Sequence, residues 1–159
     1  MEEQAGYERR DNRYVKAFLL FLFVPKIQNQ KGIVMEQTKL FEVKGETLIL
    51  HLPEELDHHV AGQIREETDI YFTEKRIRDV IFDYQNTSFM DSSGIGLIMG
   101  RYREVRYLRG DVYIVGIHDK IARILEISGL YRVAKRRADV EDAMRDITEK
   151  YANASGQKR

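Results

Sequence analysis

Short apolar runs that alternate with amphipathic segments constrain the fold of this chain more than any other feature. Asp79–Tyr84 and Val112–Ile117 have the apolar character of buried strands, and each is followed by apolar residues at helical spacing. Strands that alternate with helices usually pair in parallel, because each helix returns the chain across the sheet. We therefore predict an α/β fold with a largely parallel β-sheet and amphipathic helices.

The remaining elements complete a β-β-α-β-α-β-α-β-α order. A hairpin is predicted where two apolar runs flank Lys44-Gly45-Glu46. Asp57 is predicted to cap a helix that ends near Glu74, and a second helix is expected to end at Arg109-Gly110. The last elements are a short helix capped by Asp119 and halted by Gly129, a strand at Tyr131–Ala134 and a closing helix to Tyr151.

The length of the chain favours one domain. A chain of 159 residues with 43% hydrophobic residues can bury a single core. We predict that this domain spans residues 35–151 and that residues 152–159 form a frayed tail. Residues 1–34 are predicted to be a disordered extension or a mis-assigned start, with translation beginning at Met35. The apolar run Ala17–Val24 is too short for the roughly 20 residues of a membrane span.

Composition excludes several classes of function. The 26 basic and 26 acidic residues cancel, so no global charge attracts nucleic acid or an anionic membrane. The absence of cysteine excludes disulfides and thiolate nucleophiles, and it suits a reducing cytoplasm. We therefore expect a cytoplasmic protein that recognises its partners through a local surface, without stable membrane association.

The stretch FMDSSGIG, residues 89–96, is predicted to lie on a strand-to-helix turn, as a hydrolase nucleophile does. A nucleophile elbow needs glycine two residues before and two after the serine. Asp91 and Ile95 occupy those positions around Ser93, and Met90 precedes Ser92. His118 could approach this edge, but no acid is evident behind it. No catalytic residue is predicted.

Metal and nucleotide sites find little support. His58 and His59 follow Asp57 directly, and neighbouring residues on a helix point about 100° apart, so the two imidazoles do not converge on one ion. His51 lies on a predicted strand. No Walker-type Lys-Ser/Thr follows the glycines after Ser93. We predict neither a metal nor a cofactor.

Three glycines follow the serines and require an explanation. Gly94, Gly96 and Gly100 lie in or near the first turns of the predicted helix, where each costs roughly 1 kcal/mol relative to alanine. Gly96 and Gly100 share one face. Tight packing against the sheet and docking of another protein explain these glycines equally well.

A helix amino terminus also suits a modified serine. Its free N–H groups and the positive end of its dipole would stabilise a phosphate on Ser93. Asp57 and Asp91 both precede helices, and such turns gather at one edge of a parallel sheet. A phosphate beside them would make that edge strongly anionic and repel a partner fitted to the unmodified surface. Spacing and helix electrostatics do not choose between Ser92 and Ser93.

Four motifs resemble one family. The stretches ELDHH (55–59), SFMDSSG (88–94), GRY (100–102) and ISGL (127–130) resemble those of the STAS-domain anti-sigma factor antagonists, above all the sporulation antagonists that act on anti-sigma F factor. The likeness covers about Met35 to Tyr151. It departs at Leu52-Pro-Glu54, where the family usually has Gly before Glu-Leu-Asp.

The resemblance implies partner switching. The second serine of the family motif, here Ser93, would be phosphorylated by an anti-sigma factor that is also a serine kinase. The unmodified chain would bind this kinase and release a sporulation sigma factor, and a serine phosphatase would reset the switch. The implied partner-binding residues are Asp57, Asp91, Ser92, Ser93 and Gly94.

Two alternatives to the sporulation system stay open. A general-stress antagonist of the same fold would differ in the kinase that it binds. A nucleotide-binding or hydrolytic protein belongs to another class and lacks a base combined with a phosphate loop. The resemblance implies a regulatory protein that is a substrate and a ligand, not an enzyme.

Overall fold

A mixed, mostly parallel β-sheet forms the centre of the fold. The computed structural model describes residues 40–74 and 76–156. Its strands there are β1 (Phe41–Lys44), β2 (Thr47–His51), β3 (Glu55–Leu56), β4 (Asp79–Asp83), β5 (Phe89–Met90), β6 (Val112–Val115) and β7 (Ala134–Arg136). The main sheet has the order β1-β2-β4-β6-β7, in which only the β1–β2 pair is antiparallel. The predicted α/β fold with a largely parallel sheet is confirmed.

Helices cover both faces of this sheet. They are α1 (His58–Glu74), α2 (Ser92–Tyr107), α3 (Asp119–Ile127) and α4 (Val140–Gly156). Alternate strand residues point to opposite faces, so Leu48 and Leu50 pack into the core shared with α1, α2 and α3. Ile49 and Ile81 pack on the other face against α4. The sheet is therefore buried on both sides, as its continuous apolar strands predict.

A second, two-stranded sheet was not predicted. Strands β3 and β5 pair in parallel, with Glu55 opposite Phe89 and Leu56 opposite Met90. Each strand has two residues, which is too short for a period-2 pattern to be visible in the sequence. This sheet ties the turn before α1 to the turn before α2.

The predicted ends of several elements need correction. The strand at Tyr131–Ala134 is wrong, because Leu130–Arg132 form a 3-10 helix and β7 begins at Ala134. The residue that caps α3 is His118, and Asp119 is the first helical residue. Helix α4 continues to Gly156, beyond the predicted domain end at Tyr151.

The stop after α2 uses a different residue from the one predicted. Arg109, with φ +57°, takes the left-handed position that glycine usually fills. Gly110 follows, and its N–H donates to the carbonyl of Val105 at 2.9 Å. A Cβ on Gly110 would lie 1.4 Å from the carbonyl oxygen of Arg78, so close backbone approach is the reason for this glycine.

An ion-pair network lies at the end of the main sheet where β4 and β6 begin. We call this region the amino edge (Asp79, Asp111, Lys135, Lys150 and Tyr151). The buried Asp79 carboxylate accepts hydrogen bonds from Tyr151 Oη at 2.6 Å and Lys150 Nζ at 3.2 Å. It also accepts the backbone N–H of Asp111 at 2.8 Å. This network ties α4 to two strands of the sheet.

The network shifts the pKa values of Asp111, Lys150 and Tyr151. Burial alone would raise the pKa of Asp111, but hydrogen bonds from Lys150 and Lys135 outweigh it and hold that pKa below its usual value. Burial alone would lower the pKa of Lys150, but Asp111 and Asp79 raise it. Burial, with the hydrogen bond to Asp79, raises the pKa of Tyr151.

Some predictions fall outside the described residues. The extension at residues 1–34, the start at Met35 and residues 157–159 are among them. Within residues 40–74 and 76–156, no helix has both the length and the apolar character that a membrane span requires.

Candidate functional site

Two strand-to-helix turns meet to form the site, which we call the carboxyl edge (Asp57, His58, Asp91, Ser92 and Ser93). The first turn joins β3 to α1, and the second joins β5 to α2. Because β3 and β5 pair in register, the two helices begin side by side. The backbone N–H of Asp91 donates to the carbonyl of Leu56 at 3.3 Å and ties the turns together. The prediction that Asp57 and Asp91 lie on strand-to-helix turns is correct.

Both aspartates cap the helices that follow them. Asp57 Oδ1 accepts the N–H of Val60 at 2.9 Å, as predicted. Asp91 Oδ1 accepts the N–H of Ser93 at 2.7 Å. Each cap satisfies a backbone donor that would otherwise have no partner within the helix, and such a cap is worth about 1 kcal/mol. The two carboxylates therefore have a structural role in addition to any role in recognition.

The structure distinguishes the two serines. Ser93 is partly buried, and its Oγ lies 3.3 Å from Nδ1 of His58. Ser92 is exposed, and within the described part of the chain its hydroxyl has no hydrogen-bond partner. The sequence pattern did not predict the contact of His58 with Ser93. Nε2 of His118, which was expected to be able to approach this edge, lies 2.8 Å from the carbonyl oxygen of Gln85.

The three glycines have different surroundings. A Cβ on Gly94 would lie 2.4 Å from Met90 Cγ and 2.9 Å from a methyl group of Leu56, so this glycine allows α2 to pack on the small sheet. A Cβ on Gly96 or Gly100 would meet nothing within 4 Å. Tight packing therefore explains Gly94 but does not explain Gly96 and Gly100. These two glycines form an open strip on one face of α2.

A buried arginine fixes α2 against α1. The guanidinium of Arg101 donates to Thr68 Oγ1 at 2.6 Å and to the carbonyl of Arg65 at 3.0 Å, and it pairs with Asp69 at 2.9 Å. It also lies over the ring of Phe72, 4.5 Å from the centroid. Since these contacts join the helices that carry His58 and Ser93, they help to hold the two turns together.

The loops around the site are also held by backbone contacts. Thr87 Oγ1 donates to the carbonyl of Pro53 at 2.9 Å, and the N–H of Ser88 donates to Glu54 at 2.8 Å. The segment Leu52-Pro-Glu54, where the sequence departs from the family pattern, therefore takes part in the turn that leads to β3. Phe89 keeps 50% of its surface exposed beside this turn.

The structure gives little support to catalytic or metal chemistry. His58 contacts Ser93, but no acid contacts its other ring nitrogen among the described residues, so a triad is not assembled. In residues 40–74 and 76–156, no three His, Asp or Glu side chains are grouped to hold a metal ion. An open depression of about 530 Å³ lies beside Gly116 and His118, and neither serine lines it.

Comparison with known proteins agrees with this architecture. Residues 38–143 match the model of the STAS domain family. The chain is 33% identical over 86 residues to an anti-sigma F factor antagonist of Paenibacillus polymyxa. The aligned part is 54% of this chain and 74% of that protein. It is also 33% identical over 95 residues to an anti-sigma-B factor antagonist of Staphylococcus aureus. Here the aligned part is 59% of this chain and 80% of that protein.

The Bacillus protein SpoIIAA, an anti-sigma factor antagonist, is similar in structure. Its unphosphorylated form aligns with a TM-score of 0.63 and 31% identity over 69% of this chain and 95% of that one. Its phosphorylated form aligns with a TM-score of 0.56 and 31% identity over 67% of this chain and 98% of that one. The chain therefore belongs to the STAS-domain family of anti-sigma factor antagonists.

Proposed function

We propose that this chain controls a sporulation sigma factor by partner switching, with Ser93 as the switch. The unphosphorylated chain binds an anti-sigma factor that is also a serine kinase, and this binding releases the sigma factor. Phosphorylation of Ser93 ends the complex, and a serine phosphatase restores it. These partners would place the protein in the cytoplasm.

The observation that carries this proposal is the position of Ser93. Its hydroxyl lies at the start of α2, where pairing of β3 with β5 brings it to His58 and the two capping aspartates. The hydroxyl is only partly buried, so a kinase can reach it. Ser92 is more exposed, and no hydrogen bond from the described residues orients its hydroxyl.

The modification changes the charge of the site. The γ-phosphoryl group of ATP bound to the kinase forms a bond to Ser93 Oγ as its bond to ADP breaks, and the hydroxyl proton passes to a base of the kinase. The site gains about −1.5 to −2 charges beside Asp57 and Asp91. A partner surface fitted to the unmodified serine would then face unpaired like charges and lose affinity.

The partner surface would combine this switch with nearby groups. Asp57, Asp91, Ser92, Ser93 and Gly94 form its centre, as the family resemblance implies. Phe89 is half exposed on the adjacent strand, and exposed aromatic side chains are common anchors at protein interfaces. The open strip at Gly96 and Gly100 would allow a partner to approach the backbone of α2.

Phosphorylation in vitro tests the proposal. The chain is mixed with the anti-sigma kinase encoded by the same genome and with ATP, and the phosphate is located by mass spectrometry. We expect one phosphate on Ser93, which Ser93→Ala abolishes and the matched variant Ser92→Ala retains. A phosphate elsewhere, or one that persists in Ser93→Ala, would contradict the proposal.

The effect on binding is tested separately. Ser93→Asp adds one negative charge at the switch, so we expect weaker binding to the kinase and an unchanged circular dichroism spectrum. Ser92→Asp is the matched control at the neighbouring position and should weaken binding less. Equal affinity of Ser93→Asp and the unmodified chain would rule out charge repulsion as the mechanism.

A general-stress antagonist is the second candidate, because the chain is 33% identical to the anti-sigma-B factor antagonist of Staphylococcus aureus, the same identity as to the sporulation relative. Competition between anti-sigma F and anti-sigma B kinases for the chain distinguishes the two. The hydrolytic alternative is weaker, since His58 has no acid partner among the described residues.

A further inference from the structure

We propose that His58 is a positioning residue for Ser93 and the counter-cation of its phosphorylated form. The imidazole would orient the serine hydroxyl before phosphoryl transfer and pair with the phosphoryl group afterwards. This inference rests on the proposed function, because it concerns the same serine. It assigns a role to a side chain for which the sequence pattern indicated only that it does not share a metal ion with His59.

The geometry fixes one rotamer of the serine. A serine on a helix can rotate its hydroxyl among staggered positions. The contact of 3.3 Å between Ser93 Oγ and His58 Nδ1 selects the position that faces the β3–α1 turn. The hydroxyl donates to Nδ1 when the imidazole carries its own proton on Nε2. His58 is itself well placed, because it is the first residue of α1, directly after the capping Asp57.

A phosphoryl group on Ser93 needs a cation more than the sequence suggested. The helix N–H of Ser93, which was expected to stabilise a phosphate, is already bonded to the Asp91 carboxylate at 2.7 Å. A phosphoryl group on Oγ would therefore lie close to a like charge. Among the described residues, His58 is the one that contacts Oγ and can become positive.

The other titratable groups around His58 are mostly acidic. They come from its own turn, from the preceding segment, from the β5–α2 turn and from α3, which packs against β5. They are Asp57 and His59, Glu54 and Glu55, Asp91, and on α3 Asp119, Lys120, Arg123 and Glu126. A phosphoryl group on Ser93 therefore has few cations near it apart from His58.

A titration of the phosphate tests the counter-cation role without any kinase. Phosphoserine is incorporated at position 93 of the full chain by genetic code expansion, and ³¹P NMR follows its second ionisation. Loss of a neighbouring cation disfavours the dianion, so His58→Gln should raise the midpoint by roughly half a pH unit. The adjacent His59→Gln is the matched control and should leave the midpoint unchanged. Equal midpoints in His58→Gln and the parent chain would overturn this role.

Kinase assays test the positioning role. His58→Asn keeps a polar atom near the place of Nδ1 but has no charge, so phosphorylation should proceed near the parent rate while the ³¹P midpoint rises. His58→Ala removes both the polar atom and the charge, so phosphorylation should slow several-fold and the ³¹P midpoint should rise. Equal rates for His58→Ala and the parent chain would overturn the positioning role. If the parent chain is not phosphorylated on Ser93 at all, the proposed function fails, whereas the ³¹P titration still decides the His58–phosphate pair.

Discussion

The amino edge and the carboxyl edge use carboxylates in opposite ways. At the amino edge, Asp79 is fully buried and bonded to Tyr151, Lys150 and the backbone of Asp111. At the carboxyl edge, Asp57 and Asp91 are only partly buried, and each bonds a backbone N–H of its own helix. One edge satisfies its charges with oppositely charged side chains, and the other keeps its charges near water.

From this difference we infer which of the two regions can carry the proposed switch. A buried pair contributes to folding only while both partners are present, so the amino edge cannot change its charge without loss of stability. The proposed phosphate at the carboxyl edge would require little change in packing, because Asp57 and Asp91 each bond a backbone N–H of their own helix. The comparison predicts that substitutions at the amino edge affect mainly stability and those at the carboxyl edge mainly partner binding.

The largest effect is expected for Asp79→Ala. The substitution removes the acceptor of Tyr151 Oη and the Asp111 N–H and leaves Lys150 with one carboxylate. Loss of one member of a buried ion pair costs about 3 kcal/mol or more. Urea unfolding followed by circular dichroism measures the change in the free energy of unfolding. A cost no larger than that of Asp91→Ala would remove the distinction between the edges.

Gly110→Ala should have the next largest effect. Its Cβ would lie 1.4 Å from the carbonyl oxygen of Arg78, so the backbone before β4 must move, at a cost of about 2 kcal/mol. Gly96→Ala is the control on the open face of α2, where a Cβ meets nothing within 4 Å. We expect that control to stabilise the chain by up to about 1 kcal/mol. Thermal unfolding of both variants checks the contrast, and similar losses in the two would contradict it.

Asp91→Ala should cost about 1 kcal/mol, the usual value of a lost helix cap. Its N–H partner, Ser93, then loses the contact that fixes the first turn of α2, so kinase binding should weaken as well. Asp57→Ala removes the corresponding cap of α1 and provides the matched comparison for stability. Unchanged kinase binding in Asp91→Ala would show that this helix cap is not needed for recognition by the kinase.

The smallest effect is expected for Asp111→Asn, in how the free energy of unfolding declines at acidic pH. Because the pKa of Asp111 is lowered in the folded chain, its ion pairs stabilise the fold above the unfolded value of about 3.8 and are lost as the pH falls through the folded pKa. The effect is modest, since Asp111 and its two lysine partners keep contact with water. Unfolding measured between about pH 5 and about pH 2 should show a shallower decline in Asp111→Asn than in the parent chain. Parallel curves would exclude this contribution.

Sequence patterns predicted the elements that carry many residues. The hairpin around Gly45, the buried strands β4 and β6 and the cap of α1 follow from apolar periodicity and turn residues. The same patterns missed β3 and β5, because two residues carry no period. They also misplaced β7, since Leu130–Arg132 has strand-like composition but adopts a 3-10 helix after the left-handed Gly129.

Only the local features of the candidate site could be predicted from the sequence. Asp57 and Asp91 could be assigned to helix starts from local sequence alone. The contact between His58 and Ser93 could not, because it joins residues 35 positions apart in the chain. Pairing of the unpredicted strands β3 and β5 brings them together, so the error in the fold and the missed contact have one cause.

The sequence by itself determined the layered α/β class, the starts of α1 and α2 and, through its motifs, the family. These features depend on local preferences and on side-chain periods that do not require a partner segment. Only the tertiary structure decided that Ser93 contacts an imidazole while Ser92 does not, and that Gly94 packs while Gly96 stays open. Such differences depend on what lies across from each residue, and neighbours in space are set by the packing of distant segments.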